Sequence, residues 1–417
     1  MAQLSDDCFA FGGALMSLDE ATALIRERVG PVAEVETAPL HEADGRVLAR
    51  GIVAPTSLPP FDNSAVDGYA VRFQDLARDG NTVLPVSGRL AAGRGIEGEA
   101  RPGTALRIFT GAPMPEGFDT VFMQEDTREE NGRVVLPAGL KGGANRRLAG
   151  EDVVRGTGVL PEGRRLRPQD VALLAALGIA EVPVRRPLRV AVFSTGDEIV
   201  SPGSPLGPGK LYDSNRFVLI AMLARLHCRV TDLGILPDER GAVAGALRAA
   251  AGTHDLLLTS GGVSTGEEDH VKAAVEEAGG LSFWRVAIKP GRPVALGTVA
   301  GTPFIGLPGN PVAVFVTFAR VARALIARLS GEAWEPAASF PVRSDFAYKK
   351  KEGRREYVRV SLSRAEDGTL TARKHPREGA GVITSMTETD GLAELPEDVT
   401  RVAPGDTLAF LPYAALI

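Results

Sequence analysis

Between His254 and Lys272 the chain reads HDLLLTSGGVSTGEEDHVK, which gathers hydroxyls, glycines and carboxylates in one short stretch. Leu256, Leu257 and Leu258 predict a buried strand, Gly261 and Gly262 a sharp turn, and Glu267, Glu268 and Asp269 the acidic opening of a helix. Adjacent glycines let the backbone come close to a ligand, Thr259, Ser260 and Ser264 supply hydroxyls, and the first N–H groups of the following helix suit an anion. This order suits a phosphate cradle; taken alone, Gly-Gly reads equally as a plain loop between a strand and a helix.

Residues of the same chemical kinds recur at the ends of other apolar runs. Leu188–Thr195 runs into Gly196-Asp197-Glu198, Cys228–Leu236 into Pro237-Asp238, the run from Ser282 into Lys289-Pro290-Gly291-Arg292, and Pro303–Leu307 into Pro308-Gly309-Asn310-Pro311. Strands alternating with helical patterns predict a parallel sheet covered on both faces, and in such a sheet ligands bind outside the carboxyl ends of the strands. Glu198, Asp238 and Asp269 would then face the same crevice as Lys289 and Arg292. Carboxylates that approach one another need a proton or a cation, and an oxygen-only set favours Mg²⁺; Lys and Arg beside a phosphate loop make an oxyanion site. Any one acid reads as well as a helix cap, and Asp238 is expected to cap the helix carrying Val243, Leu247 and Ala250.

The elements that must position these residues can be read along the chain. Ser17–Val29 is an amphipathic helix, with Ser17 as N-cap and Glu20 three residues on. A second helix-like piece covers Leu40–Ala49. Asp62, Asn63, Ser64 and Asp67 crowd a turn-rich segment, where Asx turns explain part of the polarity. From Thr82 to Leu136, short runs punctuated by Gly and Pro predict a small β domain, with Thr110 at a strand end. Asn145–Asp152 offers two arginines and two carboxylates, expected to pair as a solvated cluster. Arg167–Gly178 reads as a helix with Pro168 in its first turn. The region from Ser330 to Ile417 predicts a small barrel or sandwich, with Lys349, Lys350 and Lys351 on a solvated hairpin face.

A chain of 417 residues is too long for one core, so several domains are expected. Its 44% hydrophobic and 24% charged residues are those of an ordinary globular protein rather than a disordered one. A net charge of -5 without a basic block argues against a nucleic-acid or anionic-membrane surface. Cys8 and Cys228 make neither a disulfide framework nor a cysteine metal site, which fits a reducing cytoplasm. The first residues do not read as a secretory signal, and the apolar stretch Pro311–Leu329 is broken by Arg320, Arg323 and Arg328 and is not expected to span a membrane.

The motifs FDNSAVDGYAVR, RIFTGAPMPEG, GEDV, VAVFSTGDE, YDSNR, TSGGVSTGEEDH, AIKPGRP and GLPGNP, from Phe61 to Pro311, resemble the molybdopterin molybdenumtransferase family, which includes the bacterial MoeA proteins and the related E domains of plant and animal molybdenum-cofactor enzymes. The resemblance implies a multidomain α/β plus β fold. Its parts would be a molybdopterin-binding α/β domain with a parallel or mixed sheet (residues 15–30 and 187–330), a linking α+β domain (31–55 and 151–186), a small β domain (56–150) and a C-terminal β-barrel-like domain (331–417). It implies a cytoplasmic homodimer that inserts molybdate into the dithiolene of adenylylated molybdopterin with Mg²⁺-dependent release of AMP. A molybdopterin adenylyltransferase and molybdoenzyme maturation factors are candidate partners.

Matched residue by residue, the resemblance assigns catalytic roles to Asp67, Asp152, Glu198, Asp238 and Asp269, with Asp67, Thr110 and Asp152 acting across the dimer. Mg²⁺ would lie on Asp269 with Glu198 or Asp238. Ser260, Gly261, Gly262 and Ser264 would cradle phosphate; Arg285, Lys289, Arg292, Pro308, Asn310, Pro311 and Arg359 would hold molybdate or the pterin. Two departures stand out: Arg285 where relatives have Lys, and Gly379-Ala380-Gly381 where some relatives carry a Ser, which puts a ligand contact there in question. Adenylyl transfer onto molybdopterin and a non-catalytic molybdopterin-binding scaffold are the rival readings.

Overall fold

The computed structural model describes residues 15–262 and 270–417. At its centre is a six-stranded sheet whose first strands are Arg229–Leu236, Arg189–Thr195, Leu256–Ser260 and Thr302–Leu307, in that spatial order and all parallel. The sheet is completed by Pro293–Val299 and Leu281–Arg285, each antiparallel to its neighbour. The sheet is therefore mixed, and Leu281–Arg285 ends at the same edge as the parallel strands.

Alternation along the central strands sorts side chains between two faces. Val190, Val192, Leu256 and Leu258 point into a core built with the helices Leu18–Arg28, Asn215–Arg225, Pro311–Thr317 and Arg323–Leu329. Ala191, Phe193 and Leu257 point to the other side, against Arg240–Ala251 and His270–Ala278. Both faces are covered, as the alternating pattern predicts. The first helix is fixed by a complete capping box, the Ser17 hydroxyl accepting from Glu20 N and the Glu20 carboxylate from Ser17 N. The apolar stretch 311–329 stays helical throughout, with a π-helical turn at Phe318–Ala322.

Residues 35–53 and 158–185 share a smaller core of Ala38, Leu48, Leu166, Leu174, Val182 and Val184. The helical piece expected over Leu40–Ala49 is not formed. Leu40–Glu42 is a single 3-10 turn, and Val47–Leu48 is a strand paired with Glu181–Arg185, because tertiary pairing takes the backbone groups that a helix would need. This part is stapled to the α/β core by Glu332, which accepts from Arg165 Nη2 at 2.7 Å and from Arg323 Nη1 at 2.9 Å.

The strands Gly68–Val71, Thr82–Leu90, Ala105–Ile108, Thr120–Met123 and Arg133–Leu136 belong to one sheet, as their turn-punctuated sequence predicts. The charged run Asn145–Asp152 is solvated as expected, with Arg147, Glu151 and Asp152 exposed, although among the described residues its arginines do not pair with its carboxylates. Arg146 faces Asp62 at 3.7 Å, and Glu151 instead accepts from Leu148 N, because Arg146-Arg147 is drawn into a two-residue strand against Asn63-Ser64.

In the C-terminal part, Arg355–Arg364, Leu370–Lys374, Phe340–Ser344, Thr407–Pro412 and Gly391–Leu395 pair in sequence around a ring that closes through the first and last. This is a closed five-stranded barrel, whose core holds Val342, Val360, Ala372, Leu408 and Phe410. Lys350 is not on a solvated face. It is buried, and its ammonium donates to the carbonyls of Arg354 at 2.8 Å and Glu397 at 3.1 Å.

Candidate active site

At the carboxyl edge of the central sheet, where it meets the barrel of the same chain, lies a cavity of about 710 Å³. The α/β side contributes Gly261, Gly262, Lys289–Pro293, Pro308–Asn310 and Ala313; the barrel side contributes Tyr348, Glu356, Arg359, Lys374, His375, Arg377, Glu378, Gly379 and Ala380. Five Lys and Arg side chains and two carboxylates line the cavity as a whole, so the charge balance suits an anion. The volume also leaves room for a ring system beside a small oxyanion.

Three turns shape the α/β wall. Gly261 and Gly262 both have positive φ (81° and 62°), and a Cβ on Gly262 would stand 2.7 Å from Thr195 Oγ1. A side chain there would clash, so the glycines answer a steric demand. Gly291 has φ 109°, and its Cβ would stand 2.1 Å from Thr317 Oγ1. The Pro308–Pro311 turn is tied to the start of the Asn215–Arg225 helix by Asn215 Nδ2, which donates to Gly309 O at 2.7 Å. The hydroxyls of Ser194, Thr259 and Ser260, at the ends of adjacent strands, are buried and have no hydrogen-bond partner among the described residues. Buried polar groups in this state are donors and acceptors held ready for a ligand or an ordered water.

The cationic side chains are held individually. Lys289 reaches Tyr348 Oη and Glu356 Oε2, both at 3.1 Å. Desolvation works against its charge, but these two partners outweigh it and lift the ammonium pKa above its usual value. Arg359 is buried, and its described partners are the Ser385 hydroxyl at 3.1 Å and the carbonyls of Arg377 and Gly379 at 3.2 and 3.3 Å. No carboxylate pairs with it among the described residues, and desolvation pulls its pKa below the usual value. Among the described residues, a buried guanidinium with no carboxylate bonded to it suits an incoming oxyanion.

Not every expected residue reaches this cavity. Ser260 is buried just behind Gly261, Pro311 opens the following helix, and the exposed Arg285 ends its strand with its carbonyl accepting from Met16 N. Glu198 and Asp238 follow the strands Arg189–Thr195 and Arg229–Leu236 but do not line it. Asp238 does not stand at the expected N-cap position: the N-cap is Glu239, whose side chain makes no capping bond, and the helix begins at Arg240. Ser264 and Asp269 lie outside the described residues. Gly379 and Ala380, where the missing Ser put a contact in question, line the cavity, and Ala380 O accepts from Val312 N at 2.9 Å.

Asp67 and Thr110 meet at the end of the small β sheet. Asp67 Oδ1 accepts from Thr110 N at 2.8 Å and from Thr110 Oγ1 at 2.7 Å. These bonds, the backbone N–H first, hold its carboxyl below the usual carboxylate range. Asp152 is exposed, with its N–H donating to Leu58 O. None of the three lines the cavity of its own chain.

The donors present suit Mg²⁺ in kind. The Glu198 carboxylate folds over Gly196, where a Cβ would lie 2.6 Å from Oε2, and no cation pairs with it among the described residues. Asp238 adds a second oxygen donor on the neighbouring strand. Among the described residues no group of three or more His, Cys, Asp or Glu forms a metal cluster.

Sequence reasoning missed Tyr348, Glu356, Lys374 and His375. The first two became visible only through the parallel pairing that sets Lys289 opposite Glu356. The alternation in EYVRVSL places Glu356 and Val358 on one face and gives no sign of what that face meets.

Family models match nearly the whole chain: MoeA N-terminal region (domain I and II) over residues 16–178, probable molybdopterin binding domain over 191–328, and MoeA C-terminal region (domain IV) over 341–413. The molybdopterin molybdenumtransferase of Haemophilus influenzae is 40% identical over 97% of this chain and 100% of its own. Molybdopterin molybdenumtransferase 2 of Mycobacterium tuberculosis is 38% identical over 89% and 93%. The crystal structure of the molybdopterin biosynthesis moeA protein from Pyrococcus horikoshii OT3 superposes with a TM-score of 0.80 at 29% identity, over 95% of this chain and 99% of that one. With three family models in order and full-length relatives at this identity, the chain belongs to the molybdopterin molybdenumtransferase (MoeA) family.

Proposed function

We propose that this protein is a molybdopterin molybdenumtransferase of molybdenum-cofactor biosynthesis, transferring molybdate into the dithiolene of adenylylated molybdopterin with release of AMP. The observation that carries this reading is the cavity at the sheet edge, with the acid-free Arg359 and the two-partnered Lys289 facing the Gly261-Gly262 and Pro308–Pro311 turns. Lys289, Arg292 and Arg359 would bind the tetraoxoanion, and the Gly261-Gly262 turn with the Ser260 hydroxyl would take phosphate oxygens. Arg285, Ser264, Asn310 and the prolines of the turn complete the binding set. The two dithiolene sulfurs replace one oxygen of the bound molybdate, which leaves as water with the two thiol protons while molybdenum stays Mo(VI), and attack of water on the phosphoanhydride frees AMP.

Glu198, Asp238 and Asp269 form the acidic side of the reading, supported by the hard oxygen donors at neighbouring strand ends. Asp269 with Glu198 or Asp238 would hold Mg²⁺, which when bound offsets pyrophosphate charge and polarises the bond to be broken. Asp67, Thr110 and Asp152 are assigned to the crevice of a second subunit, because they stand apart from the cavity of their own chain. The reading thus includes a homodimer working in the cytoplasm, and a division into the α/β unit 15–30 with 187–330, the linker 31–55 with 151–186, the small β unit 56–150 and the barrel 331–417. The linker and the small β unit have hydrophobic clusters of their own, which supports setting them apart, while the α/β cluster continues into the barrel residues Tyr357, Leu392, Leu411 and Leu416.

The test is anaerobic incubation of purified protein with adenylylated molybdopterin, molybdate and Mg²⁺, alongside an active enzyme of the family. Release of AMP with formation of cofactor that activates an apo-molybdoenzyme is expected. Consumption of ATP with free molybdopterin as acceptor would instead favour adenylyl transfer, full turnover by Asp269→Ala would remove Asp269 from the catalytic set, and binding of molybdopterin without any AMP release would favour a scaffold.

A further inference from the structure

We propose that Tyr348 and Glu356 are positioning residues that clamp the Lys289 ammonium and leave it a single free N–H aimed at the bound oxyanion. This rests on the transferase reading for the identity of the anion, not for the geometry. Lys289 belongs to a two-residue strand, Ile288–Lys289, that pairs in parallel with the barrel strand Arg355–Arg364, in a register that puts Lys289 opposite Glu356. Its side chain therefore reaches from the α/β body to the barrel and meets two acceptors there.

An ammonium has three donors. One is taken by Tyr348 Oη at 3.1 Å and one by Glu356 Oε2 at 3.1 Å. Tyr348 in turn donates its own proton to Glu356 Oε2 at 2.8 Å, which fixes the phenol as the acceptor of the lysine N–H. Glu356 is 1% exposed, and its second oxygen accepts from Arg354 Nε at 2.7 Å, so the carboxylate cannot turn away. The phenol ring is held as well, with Lys289 Nζ 5.7 Å and Lys374 Nζ 5.9 Å from its centroid. All four side chains, Lys289, Tyr348, Glu356 and Lys374, line the cavity. A free lysine is a flexible point charge; with two donors consumed by rigid partners, the third has a set direction.

The clamp also sets the pH range over which the ammonium stays charged. The groups facing it are Tyr348, Glu356, Arg354 and Lys374, with Glu378 paired to Lys374. Tyr348 and Glu356 together support the ammonium against desolvation, and removing the Glu356 charge takes away one of the two, so Lys289 would lose its proton at lower pH.

The experiment is calorimetric titration of the full-length protein with sodium molybdate from pH 7 to about pH 11.5, for the native chain, Tyr348→Phe and Glu356→Gln, with circular dichroism and sizing at each pH to establish native folding. Tyr348→Phe keeps the ring and deletes one acceptor, and should weaken molybdate binding roughly three- to tenfold at pH 7. Glu356→Gln keeps the shape, and should move the alkaline loss of binding to lower pH, a change that a merely structural carboxylate would not produce. Native affinity and native pH dependence in both folded variants would overturn the clamp, as would a native protein that binds no molybdate. A native chain that binds molybdate through the clamp yet releases no AMP would support the clamp and refute the transferase reading.

Discussion

Replacing Glu332 by Gln should cost about 3 kcal/mol of stability at pH 7, and the cost should shrink in acid. The Glu332 side chain is 9% exposed between Arg165 and Arg323, and despite desolvation, the largest single influence, the two guanidiniums together hold its pKa at about 2 instead of 4.5. A difference of roughly 2.5 pK units corresponds to about 3 kcal/mol of preference for the ionised form in the folded state. The folded pKa is depressed, so this stability is fully present above about pH 5 and disappears as pH falls toward 2. At pH 3.5 the linkage relation leaves about 2 kcal/mol. Glutamine mimics the protonated acid, so the variant should lack this pH-dependent part. The assay is urea unfolding followed by tryptophan fluorescence at pH 7 and pH 3.5; Trp334, two residues away, packs against the α/β core and reports on this junction. A deficit of about 3 kcal/mol at pH 7 that narrows by about 1 kcal/mol at pH 3.5 is expected. An equal deficit at both values, or none at pH 7, would refute the reasoning.

Further outcomes follow from the site. Gly291→Ala should destabilise the chain by about 1–3 kcal/mol and weaken molybdate binding, since a Cβ would stand 2.1 Å from Thr317 Oγ1 at a φ of 109°; thermal unfolding and anion titration check it, and native behaviour in both would show that the turn adapts. Asp67→Ala and Asp269→Ala should each be inactive alone, whereas co-refolded mixtures should regain part of the AMP release, because one subunit of a mixed dimer would pair an intact crevice with an intact Asp67. No recovery in a mixture shown to exchange subunits would place the complete site within one chain.

Much of this architecture was legible because local signals agreed with tertiary demands. The Ser17/Glu20 box, the Pro168 helix start and the strand-end turns are short-range signatures whose physics is complete within a few residues. Leu40–Ala49 misled because its apolar spacing fits a helix, while its backbone is claimed by Glu181–Arg185 across the linker. Lys350 misled for a related reason: three consecutive lysines read as a solvated face, but one of them turns inward to satisfy carbonyls. The basic residues of the α/β turns could be read from strand ends. Their partners Tyr348 and Glu356 could not, because a parallel pairing between distant segments creates the contact and leaves no local pattern. The same holds for Arg359, whose lack of an acid partner is a property of its surroundings and not of its sequence.

Coupling of anion binding to AMP release in the crevice is tested by the AMP released per molybdenum incorporated, with molybdate varied at fixed adenylylated molybdopterin and Mg²⁺. One AMP per molybdenum is expected, with release that saturates in molybdate and is weakened in Arg359→Met through the molybdate requirement. AMP release that ignores molybdate, or consumption of ATP in its place, would contradict this coupling.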